Sequence, residues 1–193
     1  MFTSSVFNSL SAVYKVVDLP GSYGLSANSE EEVVTRSFIW NGNTDLICIL
    51  VDASQLERSL YMLADFVGIN SPVMLVLNMM DVAEDAGKKI DVKAIEKILG
   101  IPVLGFSAAE TKRYPEFLKK MESAVTHPTR LDSESLRKEL ESGENADDKA
   151  PVALLEEALG DLNLGNCESM WIAVKLLEND KLVWKTVKDS LPF

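Results

Sequence analysis

Four apolar segments, at residues 14–18, 45–52, 72–78 and 101–107, alternate with helix-periodic stretches, and this alternation constrains the fold more than any other feature. The middle two are near-continuous apolar runs, the pattern of strands covered on both faces. Leu56, Leu60, Leu63 and Val67 repeat at helical spacing, as do Val92, Ile95 and Leu99, and then Phe117, Leu118, Met121 and Val125. Gly68 and Gly100 stand where helices should stop, and Pro72 and Pro102 open the strands that follow. Such alternation implies right-handed crossovers and a mostly parallel sheet flanked by helices, an α/β fold.

The composition shifts near residue 126. The expected division is an α/β domain over 1–126, a linker over 127–150 and a small helical subdomain over 151–193. Within the linker, 134–141 reads as a short solvated helix and 142–149 as a polar, acidic, mobile stretch. Apolar helical stripes then return: Ala153, Leu154, Leu155, Ala158 and Leu159; Met170, Trp171, Val174 and Leu177; Val183, Trp184, Val187 and Leu191. Each is too short to be stable alone, so they must pack on one another or on the first domain. Trp171 and Trp184 are expected in the core.

With 47% hydrophobic residues and a mean hydropathy of +0.05, the chain can bury a sizeable core. Its net charge of −11 disfavours nonspecific binding to nucleic acid or to anionic lipid. It leaves open a nucleotide held by local N–H groups and a metal ion. No apolar run approaches a membrane span, and the N-terminus lacks a signal-peptide pattern, so the chain is expected to be soluble and cytoplasmic. Cys48 and Cys167 are far apart and outside any C-x-x-C pair, which argues against a disulfide framework or a zinc site. His127, the single histidine, sits in the linker, and no Ser/His/Asp or Cys/His constellation can be built around it.

In doubly wound sheets ligands bind at the carboxyl ends of the strands, and three short motifs fall there. Asn78-Met79-Met80-Asp81 follows the third strand. An Asp carboxylate so placed can accept two hydrogen bonds from the ring N–H and exocyclic amine of guanine, a donor pair adenine lacks. The bland alternative is an Asn that caps a turn and an Asp on the surface. Asp18-Leu19-Pro20-Gly21 ends the first strand. Asp18 can support Mg²⁺, through a water, and Gly21 lets a backbone N–H approach a γ-phosphate. Alone, this segment reads as a strand-ending turn. Ser107-Ala108-Ala109 follows the fourth strand, where small residues let a backbone N–H meet the guanine carbonyl; alone, it is a small-residue loop. Asp52, another acid at a strand end, is expected to act as a cap.

Together these residues resemble the cytoplasmic G domain of ferrous iron transport protein B, the FeoB family. Residues 14–26 resemble its third G motif and second switch, 30–36 the helix after it, 51–61 a family-typical segment, Asn78-Met79-Met80-Asp81 the fourth motif and 171–178 the following helical domain. The resemblance runs from about 13 to 126 and again over roughly 151–190. It implies a P-loop-GTPase-like fold that binds GTP or GDP with Mg²⁺, hydrolyses slowly and regulates Fe²⁺ passage through an attached membrane domain. Carried over by position, Asp18 supports Mg²⁺, Gly21 senses the γ-phosphate, Asn78 and Asp81 read guanine, and Ser107 and Ala108 complete the base pocket; no catalytic residue is assigned. Ser22 stands where Ras-like enzymes carry a water-orienting Gln, consistent with slow hydrolysis.

The family's G-x-x-x-x-G-K-[ST] phosphate loop is not in this sequence. Residues 1–11 resemble the helix just after that loop, so the expected fold is N-terminally incomplete, without the first switch or its flanking strand. This predicts weak nucleotide affinity and a gap in the sheet that would favour homo-oligomers. The alternative is a non-catalytic regulatory or interaction domain on a degenerate GTPase fold.

Overall fold

The computed structural model describes residues 3–8, 12–21, 25, 29–42, 44–134, 146–160, 162 and 164–190. Strands β3 (Ile47–Asp52), β4 (Val73–Asn78) and β5 (Val103–Gly105) form a parallel sheet in the order β3-β4-β5. Helix α2 (Leu56–Ala64) lies between β3 and β4; α3 (Met80–Asp85) and α4 (Val92–Leu99) lie between β4 and β5; α5 (Tyr114–Thr126) follows β5. The α4 ends follow from sequence. Asp91 accepts from the Ala94 N–H at 3.0 Å to cap its start, and Gly100 closes it in the left-handed conformation.

Successive side chains of a strand point to opposite faces, and β4 divides accordingly. Val73, Leu75 and Leu77 enter one core with Ile49, Val51, Leu63 and Val103; Met74 and Val76 enter a second with Leu104, Phe106, Met121 and Ala124. Burial of each such large side chain contributes about 1.5–3 kcal/mol. β4 is therefore covered on both faces, as its unbroken apolar run requires, whereas β3 is buried on one face and only partly covered on the other.

Two expectations are corrected at the N-terminus. Residues 3–8 form a strand, β1 (Thr3–Asn8), and not a helix. β1 pairs antiparallel with β2 (Val13–Asp18) in a separate two-stranded sheet, so 14–18 does not belong to the parallel one and a strand does precede it. Long-range pairing decides this. Thr-Ser-Ser-Val-Phe-Asn has little periodicity, but Phe7 lies opposite Tyr14 with the rings stacked at 5.2 Å, and both pack on the second core. The outer edge of β3 consequently has no strand partner among the described residues. Beside that edge Leu50, 59% exposed, lies on the less covered face of an apolar strand whose only charge is the terminal Asp52.

Helix α1 (Glu30–Trp40) is capped by Ser29, which accepts from the Glu32 N–H at 3.2 Å, and Glu30, Glu31 and Glu32 fill its first turn. Helix α6 (Ala146–Leu159) starts five residues before the expected start of the helical subdomain and contains Pro151. Polar residues hide that start, because they carry no apolar helical spacing. Most of the short helix expected over 134–141 lies outside the described residues. Helices α7 (Ser169–Leu177) and α8 (Lys181–Ser190) complete the C-terminal part, and Trp171, Ile172, Leu176, Val183 and Val187 join the same core as the parallel sheet. Trp184 is a correction: it is 49% exposed, with its indole N–H donating to the Leu176 carbonyl at 3.2 Å.

Both cysteines are free. Burial pushes the Cys48 thiol up to about 11; burial also pushes Cys167 up to about 12, against the opposing charge of Arg36. Since the thiolate is the reactive form, iodoacetamide at pH 8 is expected to label neither in the native protein and both in urea. Mass spectrometry before and after unfolding reads the difference.

Candidate functional site

The carboxyl ends of β4 and β5 bring four of the expected residues together. Met79 adopts a left-handed conformation (φ 62°), turning the chain between the end of β4 and the start of α3. The turn joins Asn78, the last residue of β4, to Asp81 in the first turn of α3. The Asn78 Oδ1 accepts from the Ala108 N–H at 3.0 Å. The Ser107 hydroxyl donates to Asp81 Oδ1 at 2.8 Å and accepts from the Asp81 N–H at 3.1 Å. The Met80 N–H donates to the Phe106 carbonyl at 3.2 Å and the Phe106 N–H to Leu77 at 2.8 Å, so backbone bonds fix the same two loops.

The Ser107 hydroxyl holds the exposed Asp81 carboxyl below its usual range; burial opposes this, and the Val82 and Asp81 N–H groups assist it. Asp81 is thus anionic at neutral pH, and an anion is the form that can accept two donors. The Asn78 Nδ2 donates to no described residue. Two residues that the sequence did not single out brace this loop. Arg113 donates to the Gly105 carbonyl at 2.7 Å and lies over the Phe106 ring, and the Tyr114 hydroxyl donates to the Ala108 carbonyl at 3.2 Å. Both follow the loop directly, but neither belongs to a recognisable motif.

Asp18 and Gly21 sit elsewhere, at the end of β2 on the separate hairpin, both exposed. The Asp18 carboxylate makes no hydrogen bond to a described residue. Pro20, between them, accepts from the buried Thr35 hydroxyl of α1 at 3.3 Å. Ser22 lies outside the described residues. No cluster of three or more metal-ligating side chains occurs among the described residues, so Asp18 offers a single carboxylate, enough to orient a hydrated Mg²⁺ but not to enclose one. Asp52 caps the turn after β3, accepting from the Ser54 N–H at 2.8 Å and hydroxyl at 2.6 Å. Beside it a cavity of about 290 Å³ opens along β3, bounded by Leu50, Asp52, Gln55, Arg58 and Met62.

A buried ion network ties the segment after Gly21 to the C-terminal helices. Arg36, on α1, pairs through both terminal nitrogens with Asp180, the residue before α8, and also donates to the Leu25 carbonyl at 3.2 Å. The Leu25 N–H donates to Asp65 at 2.8 Å, and Asp65 accepts from Lys175 at 2.6 Å. Leu25 is thereby held at both its N–H and its carbonyl. No sequence signal could reveal this network, because its partners lie up to 144 positions apart.

A parallel α/β core with hydrogen-bonded loops at the carboxyl strand ends, followed by a packed helical unit, has the architecture of a G domain with a helical appendage. A profile of the ferrous iron transport protein B family matches residues 3–141, and the chain belongs to that family. The Fe(2+) transport protein A/Fe(2+) transporter FeoB fusion protein of Porphyromonas gingivalis is 31% identical over 175 residues, which cover 86% of this chain and 20% of that protein. The cytosolic domain of the T. maritima FeoB iron transporter in a GDP form superposes with a TM-score of 0.83 at 27% identity, covering 99% of this chain and 73% of that one. Its GMPPNP form gives 0.82 at 27%, with coverages of 100% and 73%. The chain thus spans about a fifth of its curated relative. Among the described residues no helix is long and apolar enough to cross a membrane.

Proposed function

We propose that this chain is a guanine-nucleotide-binding domain that regulates Fe²⁺ passage through an attached membrane transporter from its cytoplasmic side. The observation that carries this reading is the hydrogen-bonded set Asn78, Asp81, Ser107 and Ala108. Asp81 accepts the guanine N1–H and N2–H, with Ser107 holding its carboxylate in place. Asn78 fixes the Ala108 backbone and offers its free Nδ2. Asp18 orients Mg²⁺ through a water, and Gly21 approaches the γ-phosphate. Bound Mg²⁺ would supply charge neutralisation at the phosphates.

The GDP and GMPPNP forms of the T. maritima relative support a nucleotide as the ligand. Most affinity for such ligands comes from contacts to the phosphates, and this sequence carries no G-x-x-x-x-G-K-[ST]. The chain alone therefore binds weakly and turns over little. Fluorescent guanine-nucleotide titration with Mg²⁺ checks this, and submicromolar affinity would refute it.

Thermal-shift comparison of GDP, GTP, ADP and buffer tests the reading itself: selective stabilisation by guanine nucleotides is expected. Equal response to ADP, or none at millimolar GDP, favours a non-catalytic interaction domain instead. Asp81→Asn should weaken GDP by about tenfold or more, as loss of a charge-assisted hydrogen bond predicts, and favour xanthine nucleotides. A preference left unchanged removes Asp81 from the site. Gly21→Ala isolates the phosphate side, since a Cβ there meets no described residue within 4 Å. Its melting temperature should match the parent while any GTP-over-GDP difference is lost. The edge of β3, unpaired among the described residues, supports self-association, which sedimentation velocity over a range of concentrations would detect.

A further inference from the structure

We propose that the outer face of α8 is a docking surface for an anionic lipid bilayer. Val183 and Val187 turn one side of this helix into the core. At about 100° per residue, the opposite side carries Lys181, Lys185 and Lys188, all exposed. Trp184 flanks this ridge on one side and Leu182 on the other, and both are exposed. Exposed Leu177 ends the preceding helix, whose Leu176 carbonyl holds the Trp184 indole in place. None of the three lysines forms an ion pair with a described residue. The carboxylates at hand are Asp189, exposed on the same helix, and Glu178, which is paired with Lys175.

This ridge reverses the sign of a chain whose net charge is −11. Screening limits the opposing field of distant acids to about 8 Å at physiological salt, so the local lysines govern contact. Lysines that reach headgroup phosphates, with an indole and aliphatic side chains at the rim, are the composition of an interfacial helix. A polynucleotide would use the charge but offers no apolar boundary for Leu177, Leu182 and Trp184. The proposal rests on the transporter reading only for the nearness of a bilayer, and the attachment would raise the effective concentration of a contact that is weak by itself.

The test is flotation of the purified chain with phosphatidylcholine vesicles and with equimolar phosphatidylcholine–phosphatidylglycerol vesicles. Binding to the anionic vesicles alone is expected, weakening as salt rises, with a blue shift in fluorescence that Trp184→Phe removes. Lys181→Gln/Lys185→Gln/Lys188→Gln should lower the partition by about a hundredfold without changing the melting temperature. Lys93→Gln/Lys97→Gln/Lys112→Gln should leave it unchanged. Absence of binding, equal binding to neutral vesicles, or equal loss in the control variant overturns the proposal. So does loss of self-association in the α8 variant with vesicle binding intact, which would make the face a contact between copies. Nucleotide stabilisation is read on the same protein without vesicles, so the functional reading and this proposal can fail separately.

Discussion

Asp180→Ala is expected to cost about 3–5 kcal/mol of folding stability, because it strands a buried guanidinium without its counter-ion. The side chains of Arg36 and Asp180 are 2% and 4% exposed. The carboxylate also accepts from the Leu182 and Val183 N–H groups at 3.0 and 3.1 Å, so the substitution removes the N-terminal cap of α8 as well. Urea unfolding monitored by circular dichroism measures the loss. An Arg36→Met/Asp180→Leu double variant should recover much of it, since a buried pair exchanged for apolar volume is often neutral. If the double variant is as unstable as the single one, the pair's hydrogen bonds, rather than the stranded charge, set the cost.

The same network defines a pH range. Burial raises the Asp180 carboxyl, but the Arg36 hydrogen bond and charge and the two backbone N–H groups together hold it below its usual value of 3.8. Its contribution is present above that value and is lost as pH falls through the lowered one. Burial lowers Lys175, but the hydrogen bonds and charges of Asp65 and Glu178 together lift it above 10.5. Its contribution is complete below 10.5 and is lost as pH rises through the raised value. Stability from these two groups is therefore flat across neutral pH and falls at both extremes.

Gly165→Ala is the second large effect, at about 2–4 kcal/mol. Gly165 has φ +79°, and a Cβ there would overlap the Trp40 indole. Trp40 cannot retreat freely: its ring meets Trp171 edge-on at 5.7 Å, and its carbonyl accepts from the Asn166 N–H at 2.9 Å. The substitution thus combines an unfavourable backbone conformation with displacement of an aromatic pair joining α1 to α7. Near-ultraviolet circular dichroism should register the tryptophan movement, and denaturant titration the lost stability. Gly21→Ala, whose Cβ would meet no described residue within 4 Å, should stay within about 0.5 kcal/mol of the parent.

What could be read from the sequence divides along physical lines. β4 was legible because a strand buried on both faces must be apolar at nearly every position, and β3 because its run is apolar too, although Leu50 is exposed. The C-terminal end of α4 was legible because a left-handed glycine and a proline-led strand punctuate it. The pairing of Asn78 with Ala108 and Asp81 with Ser107 was approachable because each motif follows a recognisable strand. β1 was not legible: an exposed hairpin strand of Ser, Thr and Asn is defined by its partner and not by its own pattern. The start of α6 was hidden by polar residues, and Arg36–Asp180 by sequence distance. Trp184 has the spacing of a core residue, yet the two valines beside it already fill the buried face.

The unequal flanking of the three parallel strands has a consequence for amide hydrogen exchange. β4 is paired on both sides, whereas among the described residues β3 is paired on one only. Every N–H of a central strand is engaged, while an edge strand leaves alternate ones to water. Deuterium should therefore enter Ile47–Asp52 in two populations, one residue in two exchanging early, while Val73–Asn78 exchanges late as a block. A strand added along that edge, from whatever source, would merge the two populations into one.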